Sequence, residues 1–168
     1  EVTVSIDAPR RWDIMRNHTA THLLHAALRK VLGGHVHQSG SYVGPDKLRF
    51  DFSHFKPMTP DEIAQVEKMV NEKILEGKEV HTDADVDIET AKKSGAIALF
   101  GEKYGSKVRV VSVDDFSKEL CGGTHVENVS QIGPFIITLE TGIAAGIRRI
   151  EAITGRAALE KIQAQKAI

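Results

Sequence analysis

Residues 17–29 read NHTATHLLHAALR, a stretch that combines the period of an α-helix with histidines at helical spacing. At about 100° per residue, its alanines and leucines form one apolar stripe. The opposite side carries His18, His22, His25 and Arg29. The pattern therefore predicts a helix that packs on a core with one face and leaves the other face for binding.

His18 and His22 are four residues apart on this helix, so both imidazoles can reach a single metal ion. A second pair with the same spacing follows at Cys121 and His125, where the intervening glycines of CGGTH let the backbone curl tightly. Three histidines and one cysteine are a complete tetrahedral ligand set for Zn²⁺. Thr19 occupies the position after His18 where metalloproteases carry a glutamate base, so a peptidase is disfavoured.

The role of this zinc is open at the level of sequence. A closed site with four protein ligands is usually structural, whereas a catalytic site keeps one position free. His25 is interpreted as a solvated side chain or as one that supports a ligand. The remaining histidines lack paired spacing, and most of them are expected to be ordinary polar or satisfied residues: His35, His37, His54 and His81.

Composition limits the class of protein. The chain has 168 residues, 41% of them hydrophobic and 27% charged, which is typical of a globular protein. No apolar run reaches the length of a membrane span and no signal peptide is present, so we expect a cytoplasmic protein with no membrane partner. One cysteine excludes an internal disulfide, and a net charge of -1 argues against a chain that coats nucleic acid by charge alone; we expect no DNA partner.

The pattern of elements predicts an α+β fold, a largely antiparallel β-sheet covered by helices on one face. The first helix is expected from about Asn17 to Leu32, before Gly33, and the second from a capping box at Thr59 to Gly77. Strands are predicted at 2–6, 47–53, 79–88, 107–113, 131–140 and 143–153, and further helices at 89–94 and 156–168.

Three segments follow from this pattern. Residues 1–12 are interpreted as the tail of a preceding β module with its short N-terminal strand. Residues 13–155 form the main domain, and 156–168 begin an outgoing linking helix. Because the sequence starts at Glu1 without Met and ends in a helical pattern, we expect it to be part of a longer polypeptide.

Several blocks, taken in order, resemble the editing domain of bacterial-type alanyl-tRNA synthetases over about residues 10–155. The blocks are RNHTATHLLHAAL at 16–28, RFDFSH at 49–54, ALFGEKY at 98–104, CGGTH at 121–125 and GIRRIEA at 146–152. The related editing domain of threonyl-tRNA synthetases typically reads CRGPH where this chain has CGGTH. Free-standing deacylases of the same superfamily remain an alternative.

The resemblance implies a zinc-dependent hydrolase that removes serine or glycine from mischarged tRNA(Ala). Its partners would be the acceptor end of that tRNA and the remainder of the synthetase polypeptide, whose charging core lies elsewhere, so we expect no ATP binding. An alanine pocket cannot exclude the smaller glycine and rejects serine only modestly, since such differences are worth about 1–3 kcal/mol. The alternatives are a trans-editing deacylase and a non-catalytic RNA-binding module with structural zinc.

The resemblance also suggests roles for individual residues. It assigns zinc binding and catalysis to His18, His22, Cys121 and His125. Candidates for hydrogen bonding to the serine hydroxyl of the substrate are Thr19, Thr21 and Gln38. Candidates for contacts with the tRNA are Arg148, Arg149 and Lys103, because cationic side chains bind phosphates.

Overall fold

One long helix, α1 (Ala8–Leu32), organises the fold, which we describe from a computed structural model of residues 2–99 and 103–166. The Asp7 side chain accepts a hydrogen bond from the backbone N–H of Arg10 and so caps the first turn. The helix ends before Gly33, whose φ of 122° favours glycine. The predicted end is confirmed, but the predicted start at Asn17 is wrong, because the first turns of the helix are exposed and carry no apolar period.

The elements that follow alternate between helices and hairpins. They are β1 (Gln38–Val43), β2 (Leu48–Ser53), α2 (Pro60–Leu75), β3 (His81–Asp87), α3 (Ile88–Lys93), β4 (Lys107–Val113), β5 (Ser117–Leu120), a 3-10 turn (Val129–Ile132), β6 (Phe135–Ala144), β7 (Ile147–Thr154) and α4 (Gly155–Lys166). Within the described residues no helix is long and apolar enough to cross a lipid bilayer.

The strands form two antiparallel sheets rather than one, so the α+β class is confirmed and the single sheet is corrected. The first sheet has the order β1-β2-β7-β6, and the second has the order β3-β4-β5. Helix α1 contacts strands of both sheets. The helix therefore lies where the two sheets meet.

The main core lies between α1, α2 and the first sheet. Leu24 of α1, Phe50 of β2, Val66 of α2 and Ile150 of β7 are all fully buried within one hydrophobic cluster. A smaller cluster joins α3 to the second sheet through Ala91, Val110 and Leu120. Strand β4 takes part in both clusters, since Val111 and Val113 belong to the main core and Val110 to the smaller one.

Most of the predicted helices and strands are confirmed, and the exceptions include one absent strand, two unpredicted strands and one shifted strand boundary. The capping box of α2 is present, since Thr59 and Glu62 each accept from the other's backbone N–H. The strand predicted at 2–6 is wrong, because those residues form no regular element and Val2 is 90% exposed. The short strands β1 and β5 were not predicted, and the strand predicted from 131 begins at Phe135 after the 3-10 turn.

Asn17 fastens α1 to one end of the first sheet. Its buried side chain donates to the carbonyl of Gly44 at 2.8 Å and accepts from the Thr154 hydroxyl at 2.7 Å. Gly44 lies in the β1–β2 turn and Thr154 at the end of β7. One amide thus satisfies a carbonyl and a hydroxyl that would otherwise be buried without a partner.

We expect Asn17→Ala to lower the free energy of unfolding by about 1–3 kcal/mol, because it leaves both partners unsatisfied. Chemical denaturation measures this change. The matched control is Lys68→Ala, which removes an exposed ion pair on α2 and should change stability by less than about 0.5 kcal/mol. Equal effects of the two substitutions would contradict the role of Asn17.

Candidate metal centre

Helix α1 and the loop after β5 bring together the four side chains that the sequence pairs predict. Ligand atoms of His18, His22, Cys121 and His125 all lie within 4.8 Å of one another. The Cys121 Sγ atom is 3.4 Å from His18 Nε2 and 3.3 Å from His125 Nε2. Two segments about a hundred residues apart in sequence therefore converge on one point.

The loop that carries Cys121 and His125 is held by Arg109 of β4. The Arg109 guanidinium donates to the Cys121 carbonyl at 3.2 Å and to the Gly123 carbonyl. In return, the Cys121 backbone N–H donates to the Arg109 carbonyl at 3.0 Å. These hydrogen bonds join the backbone of the loop that carries the thiol to β4.

Each histidine of the cluster has an oxygen beside its Nδ1 atom. His18 Nδ1 lies 3.1 Å from the Thr124 carbonyl, and His125 Nδ1 lies 3.1 Å from Thr19 Oγ1. His22 Nδ1 lies 3.3 Å from Glu119 Oε1, although it is not aligned for a hydrogen bond. Oxygen partners at Nδ1 leave Nε2 of each ring for a metal, as is usual for metal-binding histidines.

The electrostatics of the cluster favour a thiolate. Burial alone would raise the pKa of Cys121, but hydrogen bonds with His125, His18 and His22 lower it to about 3. Burial opposes the charge on His22 as well, yet its contacts with Cys121 and Glu119 raise its pKa to about 9. Burial lowers the pKa of His125 to about 4, partly offset by Cys121. The thiolate is the form of cysteine that binds metals.

Two of the separations between ligand atoms match those around a tetrahedral ion, and all four ligand atoms lie within 4.8 Å of one another. Ligand bonds of about 2.0–2.3 Å place neighbouring ligand atoms of a tetrahedron roughly 3.3–3.8 Å apart. The separations of Sγ from the two Nε2 atoms, 3.3 and 3.4 Å, lie in that range. The donor set of three imidazoles and one thiolate, with Nδ1 contacts already in place, can therefore hold a metal ion.

Two adjoining cavities open beside this cluster. The smaller, of about 170 Å³, is lined by His18, His22 and Cys121 together with side chains of the first sheet. The larger, of about 690 Å³, lies between β1 and the segment 97–99 that borders the second sheet. The cavities share three lining residues, namely His25, Gln38 and Leu99. They form one cleft that leads from the cluster to the surface.

The candidates for the serine hydroxyl are placed differently. Thr21 and Gln38 line the smaller cavity, whereas Thr19 does not. The Thr19 hydroxyl instead accepts from the Val126 N–H at 3.2 Å and contacts His125. The Thr21 hydroxyl donates to the Asn17 carbonyl at 2.8 Å, while the Gln38 side chain forms no hydrogen bond within the described residues.

The candidates for tRNA contacts differ in whether their charge is already paired with a carboxylate. Arg148 forms two hydrogen bonds to Glu140, at 2.6 and 2.8 Å, and Arg149 forms two to Asp51, at 2.7 and 2.9 Å. Lys103 is exposed and lines a further cavity beside Cys121. Residues 100–102 of the ALFGEKY block lie outside the described residues.

Of the two interpretations of His25, the solvated one is wrong, whereas a supporting role agrees with the carboxylate that it shares with His22. His25 is not solvated, since it is 1% exposed and its Nδ1 lies 3.2 Å from Glu119 Oε2. His35 and His54 form a stacked pair with 2.8 Å between Nε2 and Nδ1. Burial and the neighbouring His35 lower the pKa of His54. Sequence spacing could not show either contact, because both partners come from separate elements.

Comparisons with known proteins agree with the blocks read from the sequence. Residues 108–151 match the family model described as the threonyl and alanyl tRNA synthetase second additional domain. The chain is 58% identical over 163 residues to the alanine–tRNA ligase of Alkaliphilus oremlandii, and 59% identical over 165 residues to that of Staphylococcus aureus strain JH9. These matches cover 97% and 96% of the chain but only 18% and 19% of the two relatives. The predicted resemblance is confirmed, and the chain spans about a fifth of the length of these ligases.

The two glycines of the ligand loop allow a matched test of the metal centre. A Cβ atom added at Gly123 would overlap Cε1 of His18 and lie 2.7 Å from its Nδ1, whereas one added at Gly122 would meet nothing within 4 Å. We expect Gly123→Ala to weaken metal binding about tenfold or more, and Gly122→Ala to leave it nearly unchanged. Competition with a chelator measures both affinities, and equal affinities would exclude His18 as a ligand.

Proposed function

We propose that this chain, which over nearly its whole length is similar to a segment of alanine–tRNA ligases, hydrolyses the aminoacyl ester of tRNA(Ala) mischarged with serine or glycine. The observation that carries the proposal is the convergence of four metal-binding side chains at the inner end of a cleft. An aminoacyl group fits the smaller cavity, and the larger one has room for the terminal nucleoside. The remainder of the synthetase and the tRNA are the proposed partners, and the cytoplasm is the proposed location.

Zinc is the proposed metal, because three imidazoles and one thiolate are a common ligand set for it. His18, His22, Cys121 and His125 would hold the ion. When bound, Zn²⁺ supplies a Lewis acid that can polarise an ester carbonyl or a water molecule, or anchor the amino group of the substrate.

The protein residues around the ion perform the remaining work. Thr19 and Thr124 orient the rings of His125 and His18, and Arg109 holds the loop that carries the thiolate. The walls of the cleft, with Phe50 and Leu99 among them, limit the access of bulk water to the ester. This shielding strengthens polar interactions with the substrate.

Gln38 is the first candidate for recognising the serine hydroxyl. Its amide lines the smaller cavity and forms no other hydrogen bond within the described residues, so it is available to a ligand. Thr21 is second, because its hydroxyl already donates to Asn17 but retains a lone pair. Thr19 ranks last on geometry, since its hydroxyl serves His125 and Val126.

The acceptor end of the tRNA would pass the basic rim of the cleft. A cavity beside Cys121 is lined by Lys103, Lys107 and Arg109, with no acidic residue among the described lining residues. Such a site suits a backbone phosphate. Arg148 and Arg149 stay candidates, although a phosphate would have to compete with their carboxylate partners.

A second candidate function is favoured by the number of protein ligands. Because four are available, zinc can be a structural staple in an RNA-binding module without activity. The cavity beside the cluster argues for the catalytic alternative, since His18, His22 and Cys121 line a space that a substrate can enter. A free-standing deacylase would have the same site, so this alternative concerns the context of the chain and not its chemistry.

Cys121→Ala tests the hydrolase directly. We expect the variant to keep its fold but to hydrolyse Ser-tRNA(Ala) and Gly-tRNA(Ala) on the order of 100-fold more slowly, because it loses the thiolate ligand. Release of labelled serine or glycine measures the rate, with Ala-tRNA(Ala) as the substrate that should be spared. Circular dichroism monitors the fold.

Removing the metal with a chelator separates the two candidate functions. Lost activity with a retained fold supports the hydrolase, whereas a collapse of thermal stability without any activity to lose supports the staple. Unchanged hydrolysis by the metal-free protein would remove zinc from the mechanism.

Gln38→Ala tests the recognition of serine. If the amide of Gln38 binds the serine hydroxyl, the rate on Ser-tRNA(Ala) falls about tenfold relative to the rate on Gly-tRNA(Ala), which has no hydroxyl to lose. Thr21→Val is the matched variant on the same cavity, and it removes the second candidate. Equal losses on both substrates would indicate a structural role for Gln38.

A further inference from the structure

His25 is a buried polar residue for which the proposed chemistry has no use so far. It lies on α1 one turn beyond His22 and is 1% exposed. Its ring packs at 5.1 Å from the ring of Phe50, and its Nδ1 contacts Glu119. Its Nε2 has no hydrogen-bond partner among the described residues.

The contact with Glu119 determines the tautomer of His25. Glu119 Oε2 lies within hydrogen-bond distance of His25 Nδ1, and a carboxylate oxygen can only accept a hydrogen bond. The hydrogen of a neutral His25 ring therefore sits on Nδ1 and points at Glu119 Oε2, 3.2 Å away. This leaves Nε2 with a lone pair, which makes it a hydrogen-bond acceptor.

An unsatisfied buried acceptor costs about 1–3 kcal/mol and is uncommon in folded proteins. An apolar ring would fill the same space beside Phe50 without that cost. The orphaned Nε2 thus indicates that a donor from outside the chain completes the site.

The position of His25 narrows the identity of that donor. His25 is one of three residues that line both the smaller and the larger cavity. On the proposed function, the aminoacyl group occupies the smaller cavity and the terminal nucleoside the larger one. The part of the substrate that joins them is the ribose, whose hydroxyl beside the ester is a hydrogen-bond donor.

We infer that His25 Nε2 accepts a hydrogen bond from the ribose hydroxyl next to the aminoacyl ester, and that His25 is a substrate-binding residue for the terminal nucleotide. Glu119 fixes its ring through Nδ1. The same carboxylate contacts His22, so one residue sets the distance between the ribose and the metal cluster. The inference rests on the proposed function and adds a residue that recognises the ribose hydroxyl at the 3′ end of the tRNA.

Two substitutions test the roles of the two nitrogen atoms of His25 independently. The amide nitrogen of asparagine takes the place of Nδ1, so His25→Asn keeps a donor for Glu119 and loses the acceptor in the cleft. The amide of glutamine reaches the place of Nε2, so His25→Gln keeps an acceptor in the cleft and loses the donor to Glu119. The pair distinguishes binding of the ribose from support of the fold.

The first experiment compares hydrolysis of Ser-tRNA(Ala) ending in adenosine with hydrolysis of the same tRNA ending in 2′-deoxyadenosine, with serine on the 3′ oxygen in both. We expect the missing hydroxyl to lower the rate of the unsubstituted chain about tenfold beyond its effect on spontaneous hydrolysis. His25→Asn should be slow on both substrates and should not distinguish them. His25→Gln should retain the difference.

The second experiment needs no hydrolysis and therefore separates this inference from the proposed function. Calorimetry measures binding of 3′-serylamino-3′-deoxyadenosine, whose amide replaces the ester, and of its counterpart without the 2′ hydroxyl. We expect the unsubstituted chain to bind the hydroxyl-bearing analogue about tenfold more tightly, and His25→Asn to bind the two equally.

The outcomes are distinct. If the chain hydrolyses no mischarged tRNA but binds the two analogues with the expected difference, the proposed function fails and the ribose contact stands. If hydrolysis occurs but the 2′ hydroxyl affects neither rate nor binding, or if its effect persists in His25→Asn, the ribose contact is wrong. Failure to bind either analogue would overturn it as well.

Discussion

The packing of one helix against two separate sheets is the constraint on which the rest of this structure depends. Helix α1 contacts strands of both sheets, and its main apolar cluster includes residues from both. Asn17 fixes the helix to the first sheet, and Thr19 fixes it to the loop of the second by accepting from Val126. Because both anchors lie within one turn of His18, the histidines cannot move relative to the cysteine loop without breaking buried hydrogen bonds.

The cleft is a product of the same packing. Two sheets that meet at a helix leave a gap between their edges, and this gap lies between β1 and the segment 97–99. The cluster of three histidines and one cysteine borders this gap, because α1 and the end of β5 line the smaller cavity. The walls of this gap come from the two sheets, whereas His18 and His22 are held by the helix.

Charge inside the cluster is arranged in alternating signs. Glu119, His22 and Cys121 follow one another as anion, cation and anion, and each shifts the pKa of its neighbour toward the charged form. Burial opposes all three charges, so they persist only because each has a partner of opposite sign. On the first sheet, the partly exposed Arg148 and Arg149 are likewise each paired with a carboxylate. Among the described residues, the two buried carboxylates, Asp51 and Glu119, each contact an arginine or histidine side chain.

The sequence by itself determined the elements with strong local signals. The capping box at Thr59, the alternation of β2 and the glycine at the end of α1 are encoded by neighbouring residues, and the paired spacing of His18 with His22 and of Cys121 with His125 was sufficient to predict the cluster. Only the tertiary structure decided what depends on distant partners: the division into two sheets, the short strands β1 and β5, and the burial of His25 against Glu119. The physical reason is that the hydrophobic periodicity of a segment indicates which face of the element is apolar. It does not indicate which carboxylate, carbonyl or cavity that face contacts in the folded chain.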